Sequence, residues 1–334
     1  MRLRASDISG NSTLNKVPPF RLIDDELGRV RELINGQLGG GDKTDVSRLL
    51  GDFNSSSGKM LRPGLVLLAG AACGKITDKH IGVAAIAEVI HNATLLHDDV
   101  IDDGQKRRGR PTVNSLWGNE RAVLLGDFLL SRVFQMCADL EPEIIRAIAA
   151  ATVRICEGEL RQTIQGRNRQ LSESEYIDII TDKSAALFSC CCYLGGLLAG
   201  AGEKRARCLA DFGLNLGIAF QITDDLLDII GDEGKTGKTL GSDVDKNKLT
   251  LALIHLLRVM EANDKSVLKV KLDAAGESKE ALAEMLRGYG SLEYAHSRAE
   301  EFVIKAIAGL AELEESDAKD ALIETAGYIG RRGR

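Results

Sequence analysis

Apolar side chains recur every three or four positions over long stretches of this 334-residue chain. The segments 122–140 and 209–230 show the pattern most clearly, and this spacing places apolar residues on one face of an α-helix. Alternation of apolar and polar residues, which would indicate strands, is scarce, and aromatic residues make up only 4%. The pattern predicts an all-α protein with about ten or more helices, given the average length of a helix.

Proline and glycine mark where these helices end. Proline occurs five times and never after residue 142, so a strong helix breaker is missing from more than half of the chain. The first 17 residues are polar and non-periodic, which predicts a flexible tail over 1–17. No repeat or change in composition divides the rest, so 18–334 is expected to form a single domain. Three glycine- or serine-rich segments predict loops: 36–42, 54–59 and 231–243.

Composition narrows the classes of protein that fit this pattern. Hydrophobic residues make up 44% and charged residues 28%, as in globular proteins that bury a substantial core. The net charge of −6 disfavours nucleic-acid binding, which relies on basic surfaces. No stretch reaches the roughly 18 uninterrupted apolar residues of a membrane-spanning helix. We expect a protein without a membrane anchor, and contact with a membrane surface stays open.

The cysteines indicate a reducing compartment. Seven are present, with no CxxC or mixed cysteine–histidine spacing of a zinc site and no secretory signal. A cytoplasmic location fits best. The consecutive Cys190, Cys191 and Cys192 are interpreted as small, buried helix residues rather than as redox-active thiols.

Four aspartates gather at the end of an apolar segment, in "LLHDDVIDDGQKRRGRPT" (95–112). If 84–103 is helical, Asp98 and Asp102 stand one turn apart on the same face, with Asp99 beside them. Carboxylates about 5.5 Å apart repel each other by roughly 3 kcal/mol at an effective dielectric constant near 20, so a cleft wall would need a cation there. Oxygen ligands without histidine suit Mg²⁺. The alternative is a solvated helix end with local salt bridges.

A second acidic cluster repeats the first. In "FQITDDLLDIIGD", Asp224, Asp225 and Asp228 have the same 0, +1, +4 spacing, again in an apolar helix. Two such helices facing each other would line a cavity with carboxylates on both walls, where three divalent ions could bridge to a diphosphate. Arg107 and Arg108 follow the first cluster, and arginine binds phosphate oxygens in a two-pronged way. Two lysines downstream of the second cluster are further expected phosphate ligands: Lys238 and Lys248.

Six motifs in this order resemble the trans-type isoprenyl diphosphate synthases, and within them the long-chain, octaprenyl-like polyprenyl branch. The resemblance runs from about residue 20 to the C-terminus. "GKMLRP" (58–63) is similar to the family's GKRLRP, "DKSAALF" (182–188) to KTAxLF, and "GKTLGSDVDKNKLTLALI" (237–254) to GKxxGxDxxxxKxTLPLI. The remaining three are "EVIHNATLLHDDVID", "RRGRPT" and "FQITDDLLD".

The resemblance implies an isoprenoid synthase fold, a helical bundle around a central cavity, and assigns roles to individual residues. Three Mg²⁺ ions would be held by Asp98, Asp102 and Asp224, with Asp99, Asp225 and Asp228 in support. Lys59, Arg62, His91, Arg108 and Lys248 would bind substrate, the first four at isopentenyl diphosphate. Catalysis at the allylic diphosphate would further involve Arg107, Lys183, Ser184, Gln221 and Lys238.

The implied reaction condenses isopentenyl diphosphate head-to-tail onto an allylic diphosphate, giving a long-chain all-trans polyprenyl diphosphate for quinone side chains. A homodimer is also implied, and the helical face of 119–138 is expected to be buried in it. Chain length would be set in an apolar tunnel below Asp98. Short-chain relatives carry a bulky aromatic residue there, whereas this chain has Ala93 and Thr94, and Phe134 is the expected floor.

Small departures leave these expectations in place. Met60 replaces an arginine of the family pattern, Ser184 a threonine and Ala252 a proline. Glu159 and Gln162 resemble a further family segment, with ordinary helix surface as the alternative. A short-chain synthase, a non-catalytic subunit of a heteromeric synthase, a terpene cyclase and a phosphohydrolase are competing interpretations. The last three are disfavoured because both aspartate motifs and the basic motifs are retained and no hydrolytic nucleophile or base accompanies them.

Overall fold

The computed structural model describes residues 20–38, 50, 58–107, 109–166, 168, 170–230, 248–260 and 279–332. The predicted tail, the predicted loop at 231–243 and two expected diphosphate ligands, Arg108 and Lys238, lie outside these residues. So does most of the predicted loop at 54–59.

The described part of the chain is almost entirely helical, which confirms the predicted all-α class. A two-stranded antiparallel hairpin, β1 (Lys106–Arg107) and β2 (Arg110–Pro111), is the only sheet within the described ranges. A π-helix covers Thr181–Ala185, and 3₁₀ turns cover Arg21–Ile23 and Leu310–Glu312. The α-helices are α1 (Asp24–Leu38), α2 (Leu61–Cys73), α3 (Asp78–Ile101), α4 (Val113–Trp117), α5 (Asn119–Cys137), α6 (Pro142–Gln165), α7 (Glu173–Ile180), α8 (Ala186–Leu198), α9 (Gly202–Ile230), α10 (Leu251–Val259), α11 (Lys279–Gly288), α12 (Ser291–Gly309) and α13 (Asp317–Gly330).

The long helix α9 lies at the centre of the bundle and packs against α8 and α12. Its buried side includes Phe212, Leu216 and Ile222, all without exposed area. At Gly217 the backbone of α9 approaches the start of α8 so closely that an added Cβ would lie 2.5 Å from the Cα of Ala185. One connected core of apolar side chains therefore joins the central helices.

Helix α3 begins earlier and ends earlier than the predicted 84–103. At its start, the backbone N–H of Thr77 donates to Nδ1 of the buried His80 at 3.0 Å, which caps the first turn. At its end, Asp103 has a φ of 45°, a left-handed conformation that aspartate tolerates better than most residues and that stops the helix. The chain then turns into the β-hairpin.

Two smaller predictions can also be compared with the structure. The loop predicted at 36–42 is wrong for 36–38, because α1 continues to Leu38, whose side chain is only 1% exposed and packs into the core. Cys190, Cys191 and Cys192 are buried on α8, as predicted, and burial raises the pKa of the Cys190 thiol to about 12. In the described ranges, no helix has the length and apolar character needed to cross a membrane.

Candidate active site

The first acidic cluster lies where α3 ends. Asp98 is half-buried on the last turn, and Asp102 is the C-terminal cap, with its backbone N–H donating to the Asp98 carbonyl at 2.7 Å. Asp99 is turned away from these two and is only 7% exposed. Because the side chains at 98 and 102 are one turn apart, they share a face, as the spacing predicted.

The hairpin after α3 brings Arg107 back onto Asp99. The Arg107 Nη2 donates to Asp99 Oδ1 at 2.7 Å, and its Nε donates to both carboxylate oxygens at 3.0 and 3.1 Å. Asn114 and Gly104 in turn donate to the Asp99 carbonyl at 3.2 and 2.8 Å. Asp99 thus fixes the guanidinium of Arg107 and is less available than its neighbours as a ligand.

The second acidic cluster lies on the last two turns of α9, where Asp224, Asp225 and Asp228 are half-buried. Asp225 is held by two hydrogen bonds, from Tyr176 Oη at 2.7 Å and from Gln221 Nε2 at 2.7 Å. Gln221 also accepts a hydrogen bond from Ser184 Oγ at 2.6 Å. This chain of contacts joins α7, the π-helix and α9 behind the second cluster.

Lys183 projects from the π-helix towards the first cluster. Its ammonium forms an ion pair with Glu159 and donates to Gln162 Oε1 at 2.6 Å, both on α6. Burial opposes the charge on Lys183, but the carboxylates of Asp98 and Glu159 outweigh burial and raise its pKa. Glu159 and Gln162 therefore contact the candidate site through Lys183.

Residues of both acidic clusters influence the same basic side chain. Burial, reinforced by Glu159 and Asp102, raises the pKa of Asp98 to about 6, against the opposing charges of Lys183 and Arg107. Burial disfavours the charged guanidinium of Arg107, yet its hydrogen bond to Asp99 and the charges of Asp98, Asp99 and Asp224 raise its pKa. Asp98 and Asp224, on different helices, thus act on the same guanidinium.

A cation from a distant part of the chain pairs with each cluster. Lys248 Nζ donates to both oxygens of Asp102 at 2.8 and 2.9 Å. Arg332, just past the end of α13, lies 3.5 Å from Asp224 Oδ1, and its guanidinium stacks 4.7 Å from the ring centre of Phe220. Positive charge thus already lies beside a carboxylate on each wall.

These residues fit Mg²⁺ in one particular manner. Among the described residues, no three histidine, cysteine or acidic side chains converge tightly enough to enclose an ion by themselves. Mg²⁺ commonly takes only one or two carboxylates from the protein and completes its shell with water and substrate phosphate. Asp98 and Asp102 on one wall and Asp224 on the other offer this kind of partial, oxygen-only ligand set.

The residues expected to bind isopentenyl diphosphate differ in exposure. Lys59 is exposed and donates to the hydroxyl of Tyr328 at 2.6 Å. Arg62 is 9% exposed, with its guanidinium 4.9 Å from the ring centre of Phe188. His91 is half-buried on α3, two turns before Asp98 and on the same face. Met60, which departs from the family pattern, is buried in the core.

An apolar cavity of about 10 Å³ lies further along α3, between α3, α6 and α8. Ala93, fully buried, shares a side of α3 with Ile86 and Ile90, and Thr94 is half-buried next to it. The structure does not bring Phe134 to this cavity, because its side chain on α5 is 75% exposed. The residues that line the cavity are Val83, Ile86, Ala87, Ile90, Ile148, Leu187, Cys190, Cys191 and Leu194.

Comparisons of the sequence with known proteins identify the family to which the chain belongs. The polyprenyl synthetase family model matches residues 44–288. The octaprenyl diphosphate synthase of Escherichia coli (strain K12) is 36% identical over 84% of this chain and 88% of its own length. The short chain isoprenyl diphosphate synthase of Methanothermobacter thermautotrophicus is also 36% identical, over 83% of this chain and 87% of its own.

A solved structure of the same kind is closely superimposable. The polyprenyl synthase of Caulobacter crescentus CB15, complexed with calcium and isoprenyl diphosphate, has a TM-score of 0.89 with 32% identity, covering 93% of this chain and 96% of that one. The chain belongs to the polyprenyl synthetase family. It is therefore a prenyltransferase with the isoprenoid synthase fold, as the resemblance of its motifs implied.

Several residues of this family member's site were not identified from the sequence. Tyr176 and Arg332 contact aspartates of the second cluster but lie outside its motif, at distances along the chain that no local spacing reveals. The sequence does not decide whether Glu159 and Gln162 belong to the site or to ordinary helix surface. Their separation of three residues on a helix is compatible with a shared partner. The ion pair between Asp99 and Arg107 forms because the β-hairpin turns the chain back. The sequence does not reveal this hairpin, since strands of two residues are too short to show alternation of apolar and polar side chains.

Proposed function

We propose that the protein is an Mg²⁺-dependent synthase of a long-chain all-trans polyprenyl diphosphate, and that 18–334 forms one catalytic domain. It would condense isopentenyl diphosphate head-to-tail onto an allylic diphosphate. The observation that carries the proposal is that Asp98 on α3 and Asp224 on α9 both raise the pKa of the same guanidinium, that of Arg107, while an apolar cavity lies further along α3. One end of such a site suits diphosphates, and the other suits a hydrocarbon chain.

The residues of the polar end have complementary roles in this reaction. Arg107, fixed by Asp99, and Lys183, fixed by Glu159, direct positive charge to the allylic diphosphate as its C–O bond breaks. Three Mg²⁺ ions, with Asp98, Asp102 and Asp224 as ligands, would supply further charge stabilisation to the leaving diphosphate. Lys59, Arg62 and His91 are assigned to isopentenyl diphosphate.

The carbon–carbon bond then forms when the double bond of isopentenyl diphosphate attacks the allylic cation. The proton lost from the resulting cation is assigned to the released diphosphate. Ser184 and Gln221, joined by a hydrogen bond of 2.6 Å, present polar atoms near the reacting carbons rather than a strong base.

The product is proposed to grow along α3 towards the cavity. Its lining is aliphatic or thiol throughout, so a hydrocarbon chain can replace side-chain contacts when the lining residues move apart. A short-chain synthase is the second candidate, since a short-chain relative is as similar in sequence as the octaprenyl one. Quinone side chains are the proposed destination of a long product.

The assembly is proposed to be a homodimer in the cytoplasm. On α6, Val153, Leu160 and Ile164 are 56%, 62% and 78% exposed and form one stripe of the helix. Leu124 and Phe134 on α5 are also 65% and 75% exposed, and the proposed partner subunit would cover apolar side chains of this kind. All seven cysteines are unpaired, as a reducing compartment permits. Contact with a membrane would assist release of an apolar product.

One incubation tests the reaction and the product class. Purified protein would receive Mg²⁺, radiolabelled isopentenyl diphosphate and farnesyl diphosphate, and the products would be sized by chromatography. We expect consumption that stops when Mg²⁺ is chelated, and products well beyond twenty carbons. Products of fifteen to twenty carbons would favour the short-chain candidate, and no consumption of isopentenyl diphosphate would contradict synthase activity.

A further inference from the structure

Two arginines on α6 hold one aspartate of the π-helix. Arg154 Nε donates to one carboxylate oxygen of Asp182 at 2.8 Å, and Arg161 Nη1 donates to the other at 2.8 Å. The Asp182 side chain is 14% exposed, whereas those of the arginines are 40% and 51% exposed. Asp182 directly precedes Lys183, and the motif comparison assigned it no role.

The two arginines flank the point where α6 touches the π-helix. Arg154, Gly158 and Arg161 are spaced at i, i+4 and i+7 and therefore share one face of α6. A Cβ at Gly158 would lie 2.3 Å from the backbone nitrogen of Lys183 and 2.7 Å from its Cα. The glycine thus permits backbone contact at Lys183, and the arginines bind the side chain of the residue before it.

Opposite charges fix the register of this contact. The Asp182 carboxylate meets Arg154 and Arg161, while the ammonium of Lys183 meets Glu159. A shift by one residue would bring the carboxylate towards Glu159 and the ammonium towards the arginines, which would be repulsive. Only the observed register satisfies both side chains.

A register lock matters here because the segment is a π-helix. A π-helical turn has hydrogen bonds between residues i and i+5 instead of i and i+4, so it accommodates one inserted residue, and it is rare outside particular structural contexts. If Thr181–Ala185 reverted to the α-helical pattern, the extra residue would rotate the side chains by about 100°. That rotation would carry the Lys183 ammonium away from Glu159 and Gln162.

We propose that Arg154, Asp182 and Arg161 are positioning residues that lock the π-helix in register and thereby hold the Lys183 ammonium against Glu159 and Gln162, where it faces the candidate site. The proposal rests on the role of Lys183 in the proposed function. It extends the site to three residues that need not touch either substrate.

A double-mutant cycle tests this role. The variants are Asp182→Ala, Lys183→Ala and the two together, with kcat and both KM values measured by the radiolabel assay. Asp182→Ala should lower kcat roughly 10- to 100-fold, as expected for a displaced charge-stabilising group. It should leave the KM of isopentenyl diphosphate near the wild-type value, and it should have little further effect on kcat when Lys183 is already alanine. Asp182→Glu, which keeps the carboxylate, should recover part of the rate.

Two further test variants and one control keep folding separate from positioning. Arg154→Ala and Arg161→Ala remove partly exposed side chains, so these variants should fold even if Asp182→Ala does not, and each should lower kcat in the same direction. The control is Arg207→Ala, which removes an exposed ion pair on α9. In this pair Arg207 Nε lies 2.6 Å from Glu203 Oε1, and its loss should leave kcat unchanged. Thermal melting of every variant would accompany the kinetics.

The outcomes distinguish this proposal from the proposed function. Wild-type turnover by Lys183→Ala would remove the catalytic role of Lys183. If Lys183→Ala is slow but the Asp182 and arginine variants are as fast as wild type, the positioning role is wrong and the function stands. Equal slowing by Asp182→Ala with and without Lys183 would likewise overturn it, because that result shows an effect unrelated to the lysine.

Discussion

The depth of an obstruction along α3 should determine the length of the product. Ala93 and Ala87 are both buried, at 0% and 5% exposure, and lie five and eleven residues before Asp98. A rise of 1.5 Å per residue places them about 7.5 and 16.5 Å from Asp98 along the helix axis. An extended chain advances about 1.2 Å per bond, hence about 5 Å per isoprene unit. Phenylalanine at position 87 should therefore admit about two more units than phenylalanine at position 93.

The assay compares Ala93→Phe and Ala87→Phe with geranyl diphosphate as the primer. Ala93→Phe should shorten the product to about fifteen or twenty carbons, and Ala87→Phe should allow about ten carbons more, following the same rise per residue. Initial consumption of isopentenyl diphosphate should persist in both, because the aspartates and basic side chains lie above the obstruction. Overpacking a buried site costs about 1–3 kcal/mol, so melting must be measured as well.

Ala85→Phe is a matched control for this comparison. Ala85 is also fully buried on α3 but points to the side of the helix opposite the cavity lining. It should cost comparable stability without shortening the product. Wild-type product length from a folded, active Ala93→Phe enzyme, or the same length from both cavity variants, would show that the chain does not follow α3.

Three further predictions concern metal binding, assembly and acid stability. Asp98→Ala or Asp224→Ala should lower turnover by several orders of magnitude in the same radiolabel assay while the protein stays folded, and near-normal turnover at saturating Mg²⁺ would contradict the two-wall site. Replacing Leu160 and Ile164 together with glutamate should convert a dimer into a monomer in sedimentation experiments, whereas a wild-type monomer with full activity would refute the dimer. Burial, opposed by a hydrogen bond with the Gly195 carbonyl, lowers the pKa of His80, so the unfolded chain binds this proton at a higher pH than the folded protein. The free energy of unfolding should therefore fall as the pH drops below about 6.5, the usual histidine value, and His80→Gln should lack this component. Equal losses in both proteins would contradict it.

The sequence predicted the helices and acidic walls because both depend on local spacing. Apolar residues at helical intervals determine which face packs inwards, and the 0, +1, +4 pattern places Asp98 with Asp102 and Asp224 with Asp228 on common faces. These relations hold whatever the rest of the chain does. The extent of α3 was less predictable, because its start depends on a buried histidine and its end on the φ of Asp103.

The remaining parts of the site depend on contacts between distant segments. Arg332 reaches Asp224 across more than a hundred residues, and the partner of Tyr176 is on another helix. The π-helix has no periodic signature, since one inserted residue only shifts the apolar pattern that continues into α8. The same limit applies to Phe134, which was expected to close the end of the apolar tunnel. Helical spacing identifies an apolar position but does not show whether solvent, a partner subunit or the cavity lies beside it.

These distant contacts also explain how so much like charge is tolerated. Carboxylates one turn apart repel by roughly 3 kcal/mol at an effective dielectric constant near 20, and burial has already raised the pKa of Asp98 to about 6. Each wall nevertheless has a cation beside it, Lys248 at Asp102 and Arg332 at Asp224. Under the proposed function, Asp98, Asp102 and Asp224 would hold Mg²⁺, which would supply positive charge to these carboxylates. Lys248, which pairs with Asp102 in the structure, is an expected phosphate ligand at this wall, so one side chain would serve both to stabilise the carboxylate and to bind substrate.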